Sequence, residues 1–185
     1  MRATSLLTGL LGLGALVHAQ DKTAPVVTDN KPWRTYTAEL QDKDNTTLRG
    51  QVTTYGPTDG VGIRLKVSFW GIPEGETLQY HIHAKPVPED GNCYATAKHL
   101  DPYGRTDTPP CDIKNPASCE VGDLSGKHGP VWVPSGHSFN AEYTDYFLSN
   151  VEGEEAFFGD LSVVVHASDT SRLNCGNFKG FFESD

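Results

Sequence analysis

GIRLKVSFWGI, residues 62–72, alternates apolar and charged or polar side chains from Ile63 to Phe69 and is punctuated by Gly62 and Gly71. Successive side chains of a β-strand point to opposite faces, so the pattern fits a strand with one buried and one wet face. Working outward, similar short segments recur: TYTAEL (35–40), LRGQVTTY (48–55), LQYHIHA (78–84), HSFNAEYTDYF (137–147), FFGDLSVVVHA (157–167) and NCGNFKGFF (174–182). Clusters of Gly, Pro, Asn and Asp separate them, and helical period is nowhere sustained. The expectation is an all-β sandwich or barrel. One stretch breaks the pattern. Residues 85–136 are rich in Pro, Gly, Asp and Cys, and a loop that long in one domain is usually functional or stapled. The aromatics Trp70, Phe158 and Phe178 are expected at core or core-edge positions.

With 185 residues, 37% of them hydrophobic, the chain suits one domain with a real core. It opens with MRATSLLTGLLGLGALVHAQ, where Arg2 precedes an apolar run from Leu6 to Val17 and small residues end at Ala19. That is the layout of a secretory signal peptide, residues 1–19, and its apolar run falls short of the ~20 residues that span a bilayer. Residues 20–33 form a polar, proline-broken lead-in, and the domain is expected over residues 34–185. The formal charge is −9, and removing Arg2 with the signal peptide makes it −10. Such acidity argues against nucleic acid as a partner, because phosphate binding needs local cationic surface. No later stretch is long enough to span a membrane, and FKGFFESD lacks the apolar tail of a glycolipid anchor signal. A secreted protein is expected, with cell-wall association as its closest attachment. Asn45-Thr46-Thr47 is the one acceptable N-glycosylation sequon, in a polar stretch that reads as an exposed turn.

Four cysteines in a secreted chain suggest two disulfides, for which the sequence allows three pairings. Cys111 and Cys119 enclose a short Pro- and Asn-containing loop, so a local clip is natural there. Cys93 and Cys175 would then tie the middle of the chain to its end. A thiolate metal site is the alternative, although no pair has Cys-x-x-Cys spacing.

LQYHIHAKPV, residues 78–87, places two histidines on one strand face. His81 and His83 project side by side, with Tyr80 and Ile82 opposite. Two imidazoles so placed can converge on one metal ion; two solvent-facing histidines are the alternative. His166 closes LSVVVHAS on the face shared with Val164, and His99 lies in the loop six residues after Cys93. If Cys93 is bridged to Cys175, that loop is tethered near the strand of His166. Four neutral imidazoles without thiolate favour copper, with zinc as runner-up.

GIPEGETLQYHIHAKPV, GNCYATAKHLDPYGR, CEVGDLSGKHG and VVVHASDTSRLNCGNF occur in the order found in the copper/zinc superoxide dismutase superfamily. The chain resembles in particular the fungal extracellular copper-only branch, over most of residues 35–182. The resemblance implies an immunoglobulin-like Greek-key barrel with a long disulfide-stapled loop. It matches His81, His83, His99 and His166 to the copper ligands and Cys93–Cys175 to the intrasubunit disulfide. Arg172, just ahead of Cys175, matches the arginine that receives the anionic substrate, superoxide.

Departures from the zinc-containing members are equally informative. Those members supply two more histidines and an aspartate after the third ligand. Here no histidine lies between His99 and Asp123, and Glu120 occupies the position of the last zinc histidine. Zinc is therefore not expected. The resemblance assigns Glu120, supported by Asp123, to hydrogen bond and orient His99; acids of a solvated turn are the alternative. Only ASDTS separates His166 from Arg172, where the relatives carry a long electrostatic loop. A more open site is expected, with Arg172 as its main attraction for an anion, or alternatively as a rim partner of Asp169. His128 reads as structural or peripheral and His137 as a surface residue. The expected function is dismutation of superoxide by a monomer holding one copper ion, with a non-catalytic copper-binding or copper-handling β-sandwich as the alternative.

Overall fold

Eight antiparallel strands form a single continuous sheet in the computed structural model, which describes residues 22–134 and 137–182. The expected signal peptide lies outside the described residues. The strands are β1 (Arg34–Glu39), β2 (Arg49–Tyr55), β3 (Ile63–Trp70), β4 (Thr77–His83), β5 (Val131–Trp132), β6 (Ser138–Asp145), β7 (Ser162–His166) and β8 (Arg172–Phe182). Their order across the sheet is β5-β4-β7-β8-β1-β2-β3-β6. Neighbours β1-β2-β3 are joined by hairpins, whereas the chain crosses the molecule from β3 to β4 and again from β6 to β7, as a Greek key requires. The end strands β5 and β6 are consecutive in the chain, and the Tyr80 hydroxyl of β4 meets the Tyr143 hydroxyl of β6 at 3.0 Å. The sheet thus curls into a nearly closed barrel.

Alternation sets which residues fill it. In β3, Ile63, Leu65, Val67 and Phe69 are buried, while Arg64, Lys66 and Trp70 point outward. Opposing inward residues from β1, β2 and β4 (Tyr36, Ala38, Val52, Leu78, Tyr80, Ile82) complete the core with Phe158 and Phe178. Trp70 corrects the core-edge expectation. It follows inward Phe69, so strand parity turns it out to 48% exposure. Trp33 and Trp132, the other two tryptophans, are likewise 49% and 55% exposed. The lead-in also packs on the barrel: Ala24 is buried, and the buried Asn30 amide donates to the carbonyls of Gly62 and Leu148.

The strands β4 and β7 are buried on both faces. Val163 and Val165 enter the main core, whereas Val164 joins Val87, Cys93 and Cys175 in a separate cluster outside it. The cover on this outer side is the long segment after β4. It contains the 3-10 turns Cys93–Thr96 and Pro116–Ser118, the short helix α1 (Leu124–His128) and β5. Both expected disulfides are present, Cys93–Cys175 and Cys111–Cys119, and no described cysteine is free.

Candidate metal centre

Strand parity brings the first two site residues together, as the sequence suggests. His81 and His83 share the outer face of β4, and β7 pairs beside it with Gln79 opposite His166. The covering segment then supplies His99, whose backbone forms an isolated bridge with His83. One ring nitrogen from each of the four lies within 4.8 Å of all the others. His81, His83 and His166 are buried, and His99 is partly so.

Hydrogen bonding decides which nitrogen each ring offers. His83 Nδ1 lies 3.0 Å from the Ala97 carbonyl, His166 Nδ1 3.1 Å from the Thr170 carbonyl, and His99 Nδ1 2.5 Å from the Glu120 carboxylate. Carbonyl and carboxylate oxygens only accept, so each Nδ1 carries the proton and each Nε2 presents a lone pair. His83 Nε2 and His166 Nε2 face one another at 3.2 Å. His81 is turned the other way. Its Nε2 lies 3.5 Å from Asp123, and its buried Nδ1 is without a hydrogen-bond partner. A buried polar atom left unpaired costs free energy unless something binds it. His81 is itself one of the four residues whose ring nitrogens gather there. Four converging lone pairs, one of them otherwise orphaned, fit a copper ion.

Burial keeps the rings of His81, His83 and His166 neutral. It is the largest cause pushing His83 down to about 3 and His166 down to about 4, and it drives His81 lower still. Neutral imidazole is the form that binds metal.

Glu120 stands against His99 as the sequence reading expects, whereas Asp123, expected to support it there, stands instead beside His81. Residues 120–123 run along the open edge of β4: Ile82 N–H donates to Gly122 O at 2.9 Å, and Gly122 N–H donates to Leu100 O at 2.8 Å. Only glycine permits this approach, because a Cβ at position 122 would lie 2.2 Å from the Ile82 carbonyl. Glu120 is thereby aimed at His99 and Asp123 at His81. Asp123 also caps α1, accepting from Gly126 N–H at 2.7 Å, while burial raises its pKa. The solvated-turn alternative fails on burial. Glu120 and Asp123 side chains are only 12% and 17% exposed.

Arg172 borders the same cavity, of about 680 Å³, as His81, His99 and His166. Its guanidinium donates to the carbonyls of Cys93 and Ala97, both at 2.7 Å, and to Thr96 Oγ1 at 2.9 Å. No carboxylate pairs with it among the described residues, so the Asp169 alternative is not realised. His128 is structural as expected: it stacks on Tyr143 and bonds to Asp145 at 2.8 Å. His137 is exposed. Three participants escaped the sequence reading. Ala97 O joins a copper-ligand candidate to the arginine, Ser125 Oγ clamps the backbone of Tyr80, and Lys127 is fully buried beneath the acid turn.

No family model matches the chain. Among curated proteins it is 34% identical to cell surface superoxide dismutase [Cu-Zn] 4 of Candida albicans, over 95% of this chain and 72% of that protein. The chain belongs to the fungal cell-surface superoxide dismutases. Two further members are named Cu-only: one from Arthroderma benhamiae (35% identical, 96% of this chain, 54% of that protein) and number 5 of Candida albicans (36%, 83% and 64%). The chain thus spans about half to three quarters of the length of these relatives. A solved structure of superoxide dismutase 5 from Candida albicans with Cu(II) superposes with a TM-score of 0.72 at 34% identity, covering 82% of this chain and 94% of that one. Likeness to the copper-only members agrees with the donor set, which among the described residues gathers four histidines at one point and pairs His99 with a single acid, Glu120.

Proposed function

We propose that this chain dismutates superoxide to oxygen and hydrogen peroxide outside the cell, using one copper ion and no zinc. The observation that carries this is the four-histidine cluster with its orphaned His81 Nδ1, beside Arg172, which pairs with no carboxylate among the described residues. His81 Nδ1 and the Nε2 atoms of His83, His99 and His166 would hold the metal. Copper bound there supplies one-electron oxidation and reduction of superoxide in turn.

The chain's own residues do the rest. Arg172 holds a positive charge at the cavity wall of a strongly acidic protein and draws the small anion toward the histidines. His99 is the candidate proton carrier. Its Nδ1–H stays on Glu120, which leaves Nε2 to take up a proton and give it back without the ring turning. Asp123 stands more loosely beside His81, 3.5 Å from its Nε2. Asn45 is exposed, in keeping with a glycan there, and a secretory leader together with relatives named for the cell surface supports an extracellular location. A monomer is part of this reading, and sedimentation tests it.

The deciding experiment is metal analysis of the secreted protein together with superoxide dismutation before and after copper loading. Activity that tracks one copper per chain, unaided by zinc, is expected. Arg172→Gln should keep its copper yet turn over more slowly, with a flattened salt dependence. Stoichiometric copper without dismutation would leave the non-catalytic copper-binding alternative standing.

A further inference from the structure

Arg172 has a neighbour that takes no part in the cavity. Tyr94 stands in the 3-10 turn directly after Cys93, with its backbone N–H capped by Asn92 Oδ1 at 2.9 Å. Its ring lies under the guanidinium, 5.4 Å from centroid to Cζ, and its hydroxyl accepts from the Arg172 backbone N–H at 3.3 Å. Arg172 lines the metal cavity and Tyr94 does not. The tyrosine therefore meets the charge from outside the cavity lining. It does so although the side chain is 65% exposed, a poor position for an aromatic ring with no partner.

Three acceptors, the carbonyls of Cys93 and Ala97 and the Thr96 hydroxyl, fix the guanidinium in its plane. None of them shields its flat faces. A cation over an aromatic ring is held by the ring's quadrupole, and the ring displaces the water and anions that would otherwise sit there. We propose that Tyr94 is a specificity-determining residue that shutters the outer side of Arg172, so that anions meet this charge only from the metal cavity. Larger anions of the medium, such as phosphate, are then denied an approach from outside, while a small anion in the cavity meets the full charge. The inference rests on the assignment of Arg172 to anion capture under the proposed function, but its first measurement does not need turnover.

Copper-loaded full-length protein, wild type and the variants Tyr94→Leu and Tyr94→Phe, would be treated with phenylglyoxal, and the rate of modification at Arg172 followed by peptide mass mapping. Loss of a cation–π contact at an exposed site should speed modification in Tyr94→Leu by about two- to fivefold, while Tyr94→Phe, which keeps the ring, stays near wild type. Inhibition of dismutation by inorganic phosphate should strengthen by a similar factor in the leucine variant alone, at unchanged copper content and melting temperature. Equal modification rates in wild type and Tyr94→Leu would overturn the proposal, and so would a phenylalanine variant that behaves like leucine. If wild type does not dismutate superoxide, the proposed function fails, and the modification rates still decide the role of Tyr94.

Discussion

Ala97 carries φ 64° and ψ −144°, a conformation that L-residues with a Cβ avoid. Its carbonyl is held there because it accepts from both His83 Nδ1–H and the Arg172 guanidinium. Replacing Ala97 with glycine should relieve the strain and raise stability by about 1 kcal/mol, measured by denaturant unfolding, after the added freedom of glycine in the unfolded chain is subtracted. Glu120 is the complementary case: its contact with His99 Nδ1 is proposed to serve orientation more than stability. Glu120→Ala leaves His99 Nδ1–H without its acceptor and should lower dismutation on the order of 10- to 100-fold, read against copper content. The sequence made Glu120 and the strand histidines legible, the latter because a period of two admits only one placement for His81 and His83. Ala97 was not legible, since its role lies in a main-chain carbonyl that any residue would offer. Trp70 is the opposite lesson: alternation from Ile63 to Phe69 turns it outward, and strand parity overrides the preference of a large aromatic for the core.

At the level of elements, the acid turn and α1 take the place of a strand beside β4. Beyond the two pairs β4 makes with β5, its edge is satisfied by Gly122, Leu100 and the Ser125 hydroxyl. This arrangement is anchored from behind by Lys127, whose ammonium donates to Val121 O at 2.7 Å and pairs with Asp145 at 2.5 Å, both side chains fully buried. Removing one member of a buried pair strands the other charge, so Lys127→Met should cost about 3–5 kcal/mol in thermal or denaturant unfolding. Burial alone would raise the Asp145 pKa, but Lys127 and the His128 hydrogen bond outweigh it and hold the carboxyl at about 2. A depressed carboxylate adds stability above its unfolded pKa, near 4, and loses it as pH falls toward 2. Wild type should therefore weaken steeply across that window, and Asp145→Asn should start lower and show a flatter slope. Seventeen residues of chain lie between the partners, and nothing local in SGKHG marks its lysine as buried.

The whole molecule depends on one long covalent tie. Cys93–Cys175 spans 82 residues and joins the turn that holds Arg172 to the strand that carries it, whereas Cys111–Cys119 spans only 8. Loop-closure entropy predicts that the Cys93→Ser/Cys175→Ser pair costs about 2 kcal/mol more than Cys111→Ser/Cys119→Ser. The same variant should bind copper more weakly, because His99 sits six residues beyond Cys93; copper titration of both double variants checks this. The fold class was legible from alternation, since barrels and sandwiches share it, but closure was not. It depends on the contact of Tyr80 with Tyr143 and on where β5 falls, and a two-residue strand has no pattern to detect.

All three tryptophans stand about half in water, far from the hydrophobic interior. Indole emission from the native protein should already be red-shifted toward that of the free amino acid and should change little on melting. Fluorescence unfolding curves would then report a loss of surface contacts at most. Circular dichroism, or the ultraviolet absorbance of the buried Tyr80, is the probe that would register collapse of the barrel itself.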